Sequence, residues 1–71
     1  MAYEELKKSL KDWEYYEKNK SILPSYLVEH EQKSIAKEVA LRVKQMKEKN
    51  EYEQVSAEEQ KLINKIIDLI N

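Results

Sequence analysis

Apolar residues recur along this chain at intervals of three and four, with polar residues filling the gaps. Tyr3, Leu6, Leu10 and Trp13 fall on one such stripe, the signature of an amphipathic helix, here over about residues 2–18. At about 100° per residue Tyr16 lies at the edge of the stripe and Tyr15 almost opposite it. Glu4–Lys8 and Glu14–Lys18 stand in the favourable i,i+4 order. With no glycine in the chain, Asn19 is the candidate for a left-handed helix end. Residues 20–24 form a connection. Pro24 suits the first position of the next helix and pushes Leu23 towards extended backbone. Ile22 and Leu23 are then expected to tuck inward.

A second stripe, Val28, Ile35, Val39, Val43 and Met46 with Ala36 and Ala40 alongside, predicts a helix over about 24–49, roughly 39 Å long. Gln32 interrupts it, and residues 29–34 are polar throughout, so this is where the helix would bend or break. After a connection over 50–55, Ser56 followed by Glu59 makes a capping box. It opens a third helix over about 56–70. Leu62, Ile63, Ile66, Ile67, Leu69 and Ile70 cover roughly half of that helix's circumference and call for shelter. The predicted architecture is all-α and a single helical domain over residues 1–71. It is a small three-helix bundle, or a helical hairpin plus a C-terminal helix, as a monomer or as a dimer.

Composition agrees with the pattern and narrows the chemistry. Of 71 residues, 38% are charged and 41% hydrophobic, and the commonest are mostly good helix formers. The absence of Gly and Cys excludes glycine-built phosphate loops, disulfides, thiolate nucleophiles and cysteine zinc sites. The one histidine, His30, has Tyr26 and Ser34 at i±4, neither of them an acid to orient it. No catalytic residue, metal ligand, cofactor site or small-molecule substrate is expected, so the chain does not read as an enzyme. No stretch approaches the length of a membrane span and no signal-peptide pattern follows Met1. A soluble, cytoplasmic protein is expected, and with Lys61 and Lys65 set against Glu58, Glu59 and Asp68 the third helix is not a lipid binder. Twelve Lys against one Arg, with abundant Ile, Asn and Tyr, is what AT-rich coding DNA gives, pointing to a low-GC bacterium or one of its phages.

Charge is unevenly spread. Residues 33–49 carry six basic side chains against Glu38 and Glu48, a net +4, whereas residues 51–59 carry a net −4. Lys33, Lys37, Arg42, Lys44 and Lys47 are therefore candidate phosphate contacts, unless the acidic connection folds back and cancels them. The overall charge of −1 and the solitary arginine argue against a generally electrostatic binder or a reader of bases. Tyr15, lying off its stripe, and Leu41, lying off the second, are candidate partner-binding residues together with Leu27. The run Ser56–Ile70 (SAEEQKLINKIIDLI) is similar to the helix that precedes the DNA-binding part in small sigma-like late regulators of Gram-positive phages. The resemblance implies a regulator, although no helix-turn-helix follows in this sequence. Two functions are thus expected from the residues. The first is a non-catalytic protein–protein interaction module, a phage-encoded or accessory modulator from a low-GC bacterium, whose partner is another protein or its own copy. The alternative is a nucleic-acid-associated transcription regulator using the basic face of the second helix.

Overall fold

A computed structural model describes residues 2–70; positions 1 and 71 of the expected domain lie outside them. Among the described residues the chain is all-α, with three α-helices: α1 (Ala2–Lys18), α2 (Ser25–Glu48) and α3 (Ala57–Asp68). A single 3₁₀ turn, Tyr52–Gln54, stands between α2 and α3.

The helix ends follow local chemistry, with some reassignments. Pro24 is the residue before α2 rather than its first, at φ −58° and ψ 135°, because its extended ψ lies outside the helical range. The left-handed residue is Asn50, at φ 58°, not Asn19. Asn50 N donates to Lys47 O and Glu51 N to Met46 O, which is the Schellman arrangement with Asn where Gly is usual. Asn19 ends α1 differently: its side-chain Nδ2 donates to Tyr15 O at 2.6 Å. The capping box of α3 forms as its spacing requires, Glu59 N on Ser56 Oγ at 3.1 Å and Ser56 N on Glu59 Oε1 at 3.0 Å. On α1, Glu4 pairs with Lys7 at 3.8 Å rather than with Lys8.

α2 runs unbroken through the polar stretch 29–34. Packing explains this. Gln32 Nε2 donates to Glu17 Oε1 at 2.9 Å, so the polar interruption of the stripe is tied to α1. Further along, Arg42 bonds Glu5 at 3.0 Å. These two links set α1 and α2 antiparallel. Tyr3 OH donates to Glu59 Oε1 at 2.9 Å, which joins the start of α1 to the start of α3, so α3 runs alongside α1 in the same direction.

The core is one cluster of Leu6, Leu10 and Trp13 from α1, Ala36, Val39, Val43 and Met46 from α2, Val55 from the connection, and Ile63 and Ile66 from α3. The stripes of α1 and α2 are therefore the buried faces. Ile35, Leu62 and Ile67 are half-buried at its margin. Three expectations of burial fail. Ile22 is 77% exposed, because residues 20–23 turn on the surface at the end of α1. Leu69 and Ile70 are exposed as well, Leu69 by 62%. The third helix ends at Asp68 instead of 70, and the N–H groups of Leu69 and Ile70 reach back to Ile66 and Ile67 O at 3.1 Å, the tighter i→i−3 pattern of a fraying end. At this end α3 stops short of the helices it lies on.

Candidate interaction groove

The unequal lengths of the helices create the site. At 1.5 Å per residue, α3 is about 18 Å long, α1 about 26 Å and α2 about 36 Å, the last close to the 38 Å long dimension of the molecule. Where α3 runs out, a groove of about 590 Å³ opens between the end of α1, the first half of α2 and the turn after α3. Its walls are Trp13, Val28, Ala36, Leu69 and Ile70, and its rim carries Glu17, Lys20, Glu29, Lys33 and Lys65.

The rim charges are not equivalent. Glu17 is held by Lys20 at 3.1 Å and by Gln32 at 2.9 Å. The Gln32 hydrogen bond, with help from Lys20, outweighs partial burial and draws its carboxyl below the usual range. Lys33 and Lys65 are exposed and make no ion pair with a described residue. Trp13 is almost wholly buried, yet its indole Nε1–H is the one buried side-chain polar atom without a hydrogen-bond partner among the described residues. An orphaned donor of this kind costs about 1–3 kcal/mol.

The residues singled out by pattern fall in different places. Tyr15 is 56% exposed and Leu41 48% exposed, whereas Leu27 is half-buried. They do not meet. Leu27 and Leu41 lie about 21 Å apart along α2, and Tyr15 points away from the core on α1, edge-on to the Tyr16 ring with centroids 5.2 Å apart. His30 is exposed. Arg42 is half-buried and occupied by Glu5 at 3.0 Å, Glu38 at 3.6 Å and Gln45 at 3.3 Å. Lys33, Lys37, Lys44 and Lys47 are exposed on another side of α2. Lys47 lies over the Tyr52 ring, 4.9 Å from its centroid.

Val28, Lys65, Leu69 and Ile70 were not foreseen as members of one site. The available signal was the length difference between the predicted third helix and its longer neighbours, which has meaning only once the helices are aligned. Among the described residues there is no cluster of three His, Cys, Asp or Glu side chains placed to hold a metal, and no helix is long and apolar enough to cross a membrane. Compared with protein-family models, curated proteins and solved structures, the chain matches none.

Proposed function

We propose that this chain is a non-catalytic helical interaction module of the cytoplasm, whose groove receives an apolar, acidic helical segment of a protein partner. The observation that supports it is the open apolar groove beyond α3, walled by Trp13 and by the exposed Leu69 and Ile70. Such side chains in water lose the roughly 1.5–3 kcal/mol each that full burial supplies, so covering them favours association. The groove lies beyond the end of α3, and a helix is the element that its neighbours α1 and α2 already accommodate on this side. Lys33 and Lys65 stand on the rim in no ion pair with a described residue, while Glu17 is held by Lys20 and Gln32, which favours acidic residues flanking the apolar ones.

Trp13 is the only tryptophan, so its fluorescence reports on the groove without a label. The test titrates the full chain with two synthetic amphipathic helical peptides that share a leucine face and carry Glu or Lys on the other. The Glu peptide is expected to shift the Trp13 emission at micromolar concentration, at least tenfold more tightly than the Lys peptide. The double substitution K33E/K65E should reverse that order. An unchanged emission, or equal binding of both peptides, would overturn the reading. Light scattering over the same concentrations gives the other check: dimerisation that blocks the peptide would assign the groove to a second copy of the chain instead.

A further inference from the structure

The second candidate surface is the solvent side of α2, which adjoins the groove at Lys33 and otherwise runs away from it. At about 100° per residue, Tyr26, Lys33, Lys37, Lys44 and Lys47 fall within a sector of about 80°. Lys33 to Lys47 spans about 21 Å of helix, and Tyr26 extends the row to about 31 Å. All five are exposed, Tyr26 by 77%. None of the four lysines is ion-paired with a described residue; the cations that are paired are Lys7, Lys20 and Arg42. The acidic connection does not cancel the row. Glu59 is turned to Tyr3 and Ser56, and Lys47 meets the ring of Tyr52 rather than a carboxylate. Glu29 stands in the same sector between Tyr26 and Lys33, and Glu48 lies just beyond Lys47, so the stretch from Lys33 to Lys47 is the part of this face that holds lysines without an acid.

We infer that this face of α2 binds the sugar-phosphate backbone of a single-stranded nucleic acid, with Tyr26 stacking on a base and Lys33, Lys37, Lys44 and Lys47 on successive phosphates. Lysines supply point charges for phosphate, and an exposed aromatic in line with them is the arrangement that tolerates any base sequence. The solitary arginine, the usual reader of guanine in duplex grooves, is tied to Glu5 and Glu38 and takes no part. Sequence-independent contact with unpaired strand follows. With the whole chain at −1 despite these four lysines, the rest of the surface is net acidic and repels phosphate, so the row also sets the orientation of binding.

Fluorescence anisotropy with a labelled 12-nucleotide oligothymidine and a duplex of equal length tests this on the full chain. Binding of the single strand is expected near 50 mM salt, with a log–log salt slope of about −2 to −3, corresponding to three or four phosphates. K37Q/K44Q/K47Q should weaken it more than tenfold and flatten the slope, and Y26A should weaken it at least fivefold. K8Q/K11Q/K18Q, which changes the net charge equally at exposed positions of α1, should stay within twofold of the parent. Circular dichroism confirms that each variant folds. Absence of binding at 50 mM salt, equal losses in the two triple variants, or preference for the duplex would each overturn the proposal. Lys33 is left unaltered because it also borders the groove, so failure here leaves the peptide experiment standing.

Discussion

Glu59 Oε1 accepts two hydrogen bonds, from Ser56 N at 3.0 Å and from Tyr3 OH at 2.9 Å. The Ser56 backbone bond is the larger influence on its carboxyl, which is drawn below the usual range against the opposing effect of desolvation, with Tyr3 adding in the same direction. The unfolded chain then binds protons more readily than the folded one at this site. The contribution of Glu59 is therefore complete above the ordinary carboxylate pKa and is lost as pH falls through the lowered folded value. Thermal melts between pH 7 and 3 should show E59Q losing less stability on acidification than the parent, and matched slopes would refute the assignment. Half of this arrangement was legible in the sequence. The Ser56–Glu59 spacing is local and announces a capping box, but the Tyr3 bond joins residues separated by 56 positions and needed the fold.

Elements were legible wherever their ends are made by neighbouring residues. α3 depends most on such an end, being the shortest α-helix at 12 residues, a length at which an isolated helix is marginal in water. S56A removes the acceptor for Glu59 N and should cost about 1 kcal/mol, a fall in melting temperature of about 4–8 °C for a chain of this size. S56D should restore most of it; a melting temperature unmoved by S56A would show that the cap is dispensable. The continuity of α2 was not decidable from residues 29–34, whose polarity fits a break as well as a solvated helix. Gln32 resolves it, since its amide reaches Glu17 on another helix. Asn50 and Asn19 show the same limit: either asparagine tolerates the left-handed region, and the different hydrogen bonding at the two helix ends selects Asn50.

In the whole molecule, equal hydrophobicity does not mean equal burial. Ile63 and Ile66 are fully buried while Leu69, one turn further on, is 62% exposed. I63A should cost about 2–5 kcal/mol, much of the stability available to a domain of this size. L69D should stay within about 0.5 kcal/mol of the parent while abolishing the peptide-induced change in Trp13 emission. Urea unfolding measures both, and comparable losses from the two substitutions would mean that Leu69 is core rather than docking surface. The same contrast separates what the chain states outright from what it leaves to assembly. Periodicity and capping rest on residues a few positions apart, so three helices, their apolar faces and the all-α class follow from the residue order alone. The groove beyond α3, the exposure of Ile22 and Leu69, the capture of Arg42 by Glu5 and the unpaired lysine row depend on how helices of unequal length lie against one another. Those alignments join residues distant in the chain, and local spacing carries no record of them.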